Sequence, residues 1–117
     1  MATTKAYTDL NQSEKLAEFL PLESADMWYQ YIGTSYELSS EKPLYFPMVI
    51  RDSETGHDIP CWSLAALFKV ISNIFKYNLD YNGTSFILMV GDFEVSNKAA
   101  VDACVEMIEK LHEQKLL

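Results

Sequence analysis

The segment 57–61 brings together the side chains most suited to chemistry, His57, Asp58 and Cys61. A cysteine nucleophile needs a base that reaches its thiol and surroundings that favour the thiolate. A small thiol-dependent hydrolase using Cys61 and His57 is therefore one hypothesis. Catalytic pairs meet through the fold, however, and no other part of a nucleophilic site is recognisable in the sequence. The pattern favours His57 on a loop and Cys61 packed at the start of a helix.

The sequence gives even less support to another catalytic site, a metal site or a phosphate site than to the thiol hydrolase. Ser63 stands directly before a strongly apolar segment, where a serine is typical of a helix N-cap, and the G-x-S-x-G motif is absent. The two cysteines and two histidines form no second ligand pair for a metal. The four glycines are isolated, so no phosphate-binding glycine loop occurs. We predict no catalytic residue, no cofactor and no metal site.

Four carboxylates occur at spacings of three and four on one flank of the predicted C-terminal helix. They are Asp102, Glu106, Glu109 and Glu113. An acid–base pair needs one buried member with a raised pKa, whereas this spacing is typical of a solvated face. The four residues form a predicted acidic face. It supports a second hypothesis, in which the chain mimics nucleic acid and inhibits a host nucleic-acid-binding protein.

Aromatic side chains are unusually frequent on the predicted strands. Cross-strand packing in a small sheet is their commonest role. Exposed aromatics would also suit a surface that binds a macromolecular partner, because tyrosine and tryptophan are enriched at interfaces. The candidate partner-binding residues are Trp28, Tyr29, Tyr31, Tyr45 and Tyr81. Whether they face solvent or helices stays open at this point.

Three amphipathic patterns predict three helices. Asn11 indicates the N-cap of the first helix, and Pro21 its end. The second helix is predicted over residues 64–75. Ser96 or Asn97 indicates the cap of the third. The apolar stripe of the third helix is Val101, Cys104, Val105, Ile108 and Leu111.

Aromatic and β-branched runs predict the strands. These are residues 27–32, 44–50, 77–81 and 84–90, with a short addition at 93–95. Pro47 has no amide N–H and places its strand at a sheet edge, while residues 33–42 are predicted as a polar turn. Asn82-Gly83 is a strong hairpin-turn signal. The order α-β-β-α-β-β-α predicts an α+β fold with a small, mostly antiparallel sheet of three to four strands packed with three helices. Residues 1–10 are predicted to be a flexible segment and residues 11–117 a single domain.

Composition and charge narrow the function classes. The chain has 117 residues, 49% of them hydrophobic, and a formal charge of −8. Its nine basic residues are scattered, which disfavours direct binding to nucleic acid or to anionic lipid. The N-terminus lacks the apolar core of a signal peptide, and no apolar run approaches a membrane span. Two cysteines are too few for a disulfide framework. We therefore expect a cytoplasmic protein without a membrane partner.

Five segments carry a resemblance to a known group of proteins. They are residues 12–16, 24–27 (Ser-Ala-Asp-Met), 60–67 (Pro-Cys-Trp-Ser-Leu-x-Ala-Leu), 97–104 and 111–115. With these segments the chain resembles short acidic proteins encoded in prophages and mobile elements of gut Bacteroidales. The resemblance covers the C-terminal half best and the first ten residues not at all. The group is functionally uncharacterised, so the resemblance implies a genomic context and a compact α+β fold, and transfers no catalytic residue.

Together these patterns predict a non-catalytic protein that acts by binding. We expect a macromolecule-binding accessory protein of prophage or mobile-element origin, with a protein as its partner. The acidic mimic and the thiol hydrolase are the alternatives. A homodimer through the edge strand that contains Pro47 is compatible with the pattern.

Overall fold

A computed structural model of the chain describes residues 5–32, 35–40 and 58–117. The backbone divides into two compact units, which we call the N-terminal unit (residues 8–63) and the C-terminal unit (residues 1–7 and 64–117). The predicted strand 44–50, with Tyr45 and Pro47, lies outside the described residues, as does His57. The single domain predicted for residues 11–117 stays a prediction.

The N-terminal unit holds one helix and a three-stranded antiparallel sheet. Its elements are α1 (Leu10–Ala17), a 3₁₀ turn (Leu22–Ser24), β1 (Met27–Ile32), β2 (Ser35–Ser39) and β3 (Ile59–Cys61). The strand order is β2-β1-β3, so β1 is central. The bounds of β1 agree with the strand predicted from its aromatic run. Helix α1 packs against β3 and buries Leu16 and Ala17 completely.

The first helix starts earlier than predicted. Asp9, and not Asn11, is its N-cap. The Asp9 carboxylate accepts a hydrogen bond from the Gln12 N–H at 2.8 Å, and the Gln12 side chain accepts one from the Asp9 N–H at 3.1 Å. This reciprocal capping box satisfies two N–H groups, and Asn11 has no such arrangement in the helix. Thr8 is fully buried. Residues 8–10 of the predicted flexible segment are therefore part of the fold.

The segment 35–39, predicted as part of a polar turn, is strand β2. It pairs antiparallel with β1, with Trp28 opposite Ser39 and Tyr31 opposite Tyr36. Its serines and Glu37 gave no strong strand signal. Pairing with β1 supplies the backbone hydrogen bonds, and such tertiary pairing overrides local propensity.

The C-terminal unit holds two helices and a second three-stranded antiparallel sheet. Its elements are α2 (Leu64–Ser72), β4 (Tyr77–Tyr81), β5 (Phe86–Val90), β6 (Phe93–Asn97) and α3 (Ala100–Glu113). The strand order is β4-β5-β6, and α3 packs against β5, β6 and α2. The five residues of the predicted apolar stripe on α3 are all buried. Helix α2 begins where predicted and ends at Ser72, before residue 75.

Both hairpin turns of this sheet follow from the sequence. In the first, the Asn82 side-chain oxygen accepts hydrogen bonds from the Thr84 and Ser85 N–H groups at 3.0 and 2.8 Å, and Gly83 has φ +96°. In the second, Gly91 has φ +58° in the two-residue connection between β5 and β6. A positive φ is what such tight hairpin connections require.

Neither Ser96 nor Asn97 is the N-cap of α3. Both belong to β6, which extends beyond the predicted residues 93–95. The N-cap is Ala99, whose side chain makes no capping hydrogen bond. The Asn97 side-chain oxygen instead accepts a hydrogen bond from the Ala99 N–H at 3.2 Å. Ser96 and Asn97 therefore pair with β5 as part of β6, and the helix starts after them, at Ala100.

The α+β class is confirmed, and the number of sheets is corrected. Over residues 5–32, 35–40 and 58–117 the structure has three α-helices and two three-stranded antiparallel sheets. The prediction had one sheet of three to four strands. The difference comes from β2 and β3, which the sequence pattern did not indicate. Both pair with β1.

Candidate functional site

Cys61 has the environment of a structural thiol. It lies in β3 with no exposed surface, and its Sγ donates to the Thr8 carbonyl oxygen at 3.4 Å. Burial raises the pKa of the Cys61 thiol, although hydrogen bonds with Thr8, Ser13 and Tyr29 act in the opposite direction. A nucleophilic cysteine needs a lowered pKa and access to substrate. The geometry of Cys61 therefore gives no support to the hydrolase hypothesis, in which His57 is its base.

Thr8 is the centre of a buried polar network in the N-terminal unit. Its hydroxyl oxygen lies 2.7 Å from the Ser13 hydroxyl and accepts a hydrogen bond from the Trp62 N–H at 3.2 Å. Its carbonyl oxygen accepts one from the Tyr29 hydroxyl at 2.8 Å. Within the described part of the chain, every buried side-chain nitrogen and oxygen has a hydrogen-bond partner. A fully paired network holds the segment around Thr8 in place and offers no free polar group to a substrate.

Two segments that lie far apart in the sequence, 24–26 and 62–63, meet in this unit. The Trp62 indole N–H donates to the Ser24 hydroxyl at 2.9 Å. The Asp26 carboxylate accepts hydrogen bonds from the Ser63 N–H at 2.9 Å and from the Ser63 hydroxyl at 2.5 Å. Because one of these bonds comes from the Ser63 backbone N–H, the pair links Ser63 to the residue that precedes β1. These bonds therefore indicate a structural junction. Ser63 immediately precedes α2, and its role as N-cap stays a prediction.

Of the predicted aromatic residues on β1 whose side chains the structure describes, Trp28 is buried and Tyr29 is half-buried. Trp28 is only 2% exposed, so its prediction as a partner-binding residue is wrong for this structure. The physical reason is that β1 is the central strand of a sheet on which helix α1 packs, so a side chain on a covered face lies in the core. Tyr29 is half-buried, and its hydroxyl is bonded to Thr8. Tyr45 and the side chain of Tyr31 lie outside the described residues.

Among the predicted residues whose side chains the structure describes, Tyr81 is the exposed one. Its exposed fraction is 59%, and it lies at the end of β4 in the C-terminal unit. Its ring packs at a tilt of 43° against Phe86, with 4.7 Å between ring centroids. Tyr81 therefore belongs to a different sheet from Trp28 and Tyr29.

Tyr77 is the residue that sequence reasoning missed. It lies at the other end of β4, is 38% exposed, and stacks on Phe68 with 5.0 Å between nearly parallel rings. The alternation Tyr77-x-Leu79-x-Tyr81 puts three side chains on one face of the strand. This alternation ahead of the Asn82-Gly83 turn was the available signal. We call Tyr77, Leu79, Tyr81 and Phe86 the β4 aromatic surface.

The exposure of β4 follows from its position in the sheet. Among the strands that the structure describes it lies at the edge of its sheet, and none of its five residues is buried. Helix α3 packs against the neighbouring strands β5 and β6 instead, where Leu88, Val90 and Val95 are buried. One edge of the sheet therefore presents aromatic side chains together with strand backbone.

The predicted acidic face of α3 includes carboxylates that interact with neighbouring side chains. The Lys5 ammonium lies 2.7 Å from the Asp102 carboxylate. The Glu106 carboxylate accepts a hydrogen bond from the Asn97 amide at 2.8 Å. Glu113 is exposed, and Glu109 is half-buried. Two of the four carboxylates thus interact with neighbouring side chains of the same unit.

Most of the excess negative charge belongs to the N-terminal unit, which does not contain α3. The C-terminal unit has seven acidic and six basic residues, whereas the N-terminal unit has ten acidic and three basic residues. A phosphate-like array needs a strong local excess of negative charge. The charge distribution therefore disfavours α3 as the surface of a nucleic-acid mimic.

One further concave surface lies on α1. A cavity of about 310 Å³ is lined by Asn11, Glu14, Lys15 and Glu18. Small-molecule sites are usually lined by apolar and aromatic side chains with a few polar groups. This lining is polar and charged throughout, so the cavity has the character of helix surface.

The structure defines the fold class of the protein, and comparison with known proteins adds no family to it. Among the described side chains, no group of three His, Cys, Asp or Glu residues is placed to hold a metal ion. The helices in the described ranges are too short or too polar to cross a membrane. No protein-family model matches the chain, and no significant match is found among curated proteins or solved structures. The chain is thus an α+β protein whose most distinctive surface is the β4 edge.

Proposed function

We propose that the chain is a non-catalytic accessory protein that binds another protein through the β4 aromatic surface. In this proposal it acts in the bacterial cytoplasm and originates from a prophage or mobile element. The observation that carries the proposal is the exposure of Tyr77 and Tyr81 on an edge strand with no buried residue.

The chemistry of this surface suits a protein partner. Tyrosine supplies a large apolar ring with a polar tip at a small cost in side-chain entropy, and aromatic residues are enriched at interfaces. The Phe68 and Phe86 contacts hold the two tyrosine rings in place before binding, which reduces the ordering cost. The C-terminal unit has seven acidic and six basic residues, so its own net charge is small.

Affinity capture with matched tyrosine variants tests the proposal. The wild-type chain, Tyr81→Ser and Tyr7→Ser are immobilised and exposed to lysate of a Bacteroidales host. Tyr7 is a suitable control because it is 38% exposed, as Tyr77 is, and lies outside β4. We expect one protein to be retained by the wild type and by Tyr7→Ser and to be lost from Tyr81→Ser. Unfolding curves establish that all three chains are folded.

Two results would contradict this function. Equal capture by all three chains would show that Tyr81 takes no part in binding. A small molecule or metal ion that copurifies in stoichiometric amount would point to a ligand-binding or catalytic role instead.

A second candidate function is favoured by the charge of the N-terminal unit. Its acidic excess is the kind of field that attracts a basic nucleic-acid-binding protein, as the mimic hypothesis requires. Exposed members on the described surface include Asp9, Glu18, Glu23 and Glu37. In this case binding should weaken steeply with salt and with Glu18→Gln and Glu23→Gln, and should be unaffected by Tyr81→Ser. Binding that is insensitive to salt would exclude it.

A further inference from the structure

We propose that two copies of the chain pair their β4 strands antiparallel, about a two-fold axis at Leu79, so that the sheets of both C-terminal units join. The partner is thus a second copy of this chain. The inference concerns self-association and does not depend on the binding partner proposed above.

The backbone of β4 is arranged for such pairing. The Asn82 N–H donates to the Ser85 carbonyl oxygen at 3.1 Å, so residues 82 and 85 form a hydrogen-bonded pair next to the ladder. The register of β4 with β5 is continuous from Tyr77 to Tyr81. Hydrogen-bonded and non-hydrogen-bonded pairs alternate along an antiparallel ladder. The backbone groups of Tyr77, Leu79 and Tyr81 therefore point away from β5, toward the side of β4 on which the described residues place no other strand.

The strand has few of the features that usually protect an edge. Its five residues contain no proline and no lysine, and the regular register with β5 leaves no room for a bulge. Asp80 is its one charged residue. An edge that no other described strand covers is a template for another strand, and an isologous two-fold contact uses it in both copies at once.

The sequence of β4 is self-complementary about its centre. A two-fold axis at Leu79 sets Leu79 opposite Leu79 of the second copy and Tyr77 opposite Tyr81 of the second copy. Because these residues carry the outward backbone groups, each pair exchanges both of its N–H···O bonds. The rings of Tyr77 and Tyr81 lie on one face of the sheet and meet as cross-strand aromatic pairs, which stabilise sheets.

The opposite face of the strand is complementary in charge. Asn78 lies opposite Asp80 of the second copy, and the symmetry repeats this pair. An amide opposite a carboxylate supplies a hydrogen-bond donor where two carboxylates would repel. Strand β2 shows the contrast: its middle residue is Glu37, so pairing about its centre would set two carboxylates against each other. Among these two edge strands, only β4 combines a self-complementary sequence with charge compatibility.

The expected dimer is weak. Two five-residue strands and the adjoining tyrosines bury less surface than the roughly 1,200 Å² typical of stable complexes. The equilibrium should therefore depend on protein concentration. Pairing also places Tyr77 of one copy beside Tyr81 of the other, which joins the two β4 aromatic surfaces into one.

Sedimentation equilibrium over a wide concentration range tests the pairing. The wild type should move from the monomer mass of 13.4 kDa toward twice that mass as concentration rises. Asn78→Asp sets a new carboxylate opposite Asp80 of the second copy, twice by symmetry, and should raise the dimer dissociation constant roughly tenfold. Asn73→Asp is the matched control, because it adds the same charge at an exposed position outside β4.

The double variant Asn78→Asp with Asp80→Asn makes the test specific for register. It exchanges amide and carboxylate, so each carboxylate again faces an amide, and the dissociation constant should return to that of the wild type. A wild type that stays monomeric at millimolar concentration would overturn the proposal. Equal dimerisation of Asn78→Asp and Asn73→Asp, or failure of the double variant to recover, would overturn it as well. Because Tyr77 and Tyr81 are unchanged in all these chains, a failure here is distinguishable from failure of the proposed function.

Discussion

Removing the Thr8 hydroxyl should destabilise the N-terminal unit far more than removing an exposed hydroxyl of the same residue type. Thr8→Val retains the shape of the side chain and deletes the oxygen that pairs with the Ser13 hydroxyl and the Trp62 N–H. Each of the two buried groups left without a partner costs about 1–3 kcal/mol, so the free energy of unfolding should fall by about 2–6 kcal/mol.

Two further variants separate the hydroxyl from packing. Thr8→Ser retains the oxygen and loses one methyl group, which should cost about 1 kcal/mol. Thr84→Val removes an exposed hydroxyl that is bonded to Asn82 at 2.9 Å, and should change stability by less than about 0.5 kcal/mol. The order of the three losses, with Thr8→Val the largest, is the prediction.

Tryptophan fluorescence during urea unfolding is the appropriate assay. The chain has two tryptophans, and both Trp28 and Trp62 are buried in the N-terminal unit. Their emission therefore reports the unfolding of the unit that contains Thr8. If Thr8→Val lost no more stability than Thr8→Ser, the hydrogen bonds of the network would not be what holds this segment, and the reasoning would be refuted.

Three more predictions concern the cysteines and one turn. Cys61 and Cys104, both buried, should resist iodoacetamide in the native protein at neutral pH and react after unfolding, as mass spectrometry would show; rapid native labelling of Cys61 would contradict its burial. Burial raises the pKa of Cys104 from 9.0 to about 12, so above pH 9.0 the unfolded thiol loses a proton that the folded one keeps. The thiol's contribution to the free energy of unfolding should therefore fall by about 1 kcal/mol from about pH 8 to about pH 10. When the free energy of unfolding in urea is measured against pH, Cys104→Ala should remove this part of the decrease. An unchanged pH dependence in Cys104→Ala would contradict the prediction. Gly91→Ala should cost about 1 kcal/mol in thermal unfolding, because φ is +58° and nothing lies within 4 Å of the added Cβ, while Gly91→Asn should cost less; equal losses would argue against a backbone origin.

The parts of the fold that the sequence predicts well are those where local signals agree. The turn at Asn82-Gly83, the turn at Gly91 and the apolar run of β5 lie close together in the chain and specify one meander. The stripe on α3 is similarly local. Each of these features depends on residues a few positions apart, which is the range over which patterns in a single sequence carry information.

The errors arise where the local sequence carries a weak signal. Strand β2 has few residues of high β-propensity, although it is the hairpin neighbour of β1, with Ile32 opposite Ser35. Strand β3 pairs with β1 across a long sequence separation, with Pro60 opposite Trp28, and its three residues gave no strand pattern. Asp9 is the N-cap of α1 because the Gln12 side chain completes the reciprocal hydrogen bonds at this position. Two residues of capping type three or fewer positions apart cannot be ranked by type alone.

The candidate site also has one part that the sequence predicts and another that depends on the fold. The abundance of aromatic residues is visible in the sequence, but their exposure depends on which strand is central and which is at the edge. Strand β1 is flanked on both sides and buries Trp28, whereas β4 is an edge strand and exposes Tyr81. The total charge of −8 is likewise a property of the sequence, and its concentration in one unit emerges only with the fold.

Photo-crosslinking from β4 tests the central claim, that recognition takes place at this edge. A photoreactive phenylalanine analogue replaces Tyr81 in one chain and Tyr7 in another, and both are irradiated in host cells. We predict a discrete adduct from position 81, with either a second copy of the chain or one other protein, and little adduct from position 7. Equal adducts from both positions, or an adduct from position 7 alone, would contradict the account.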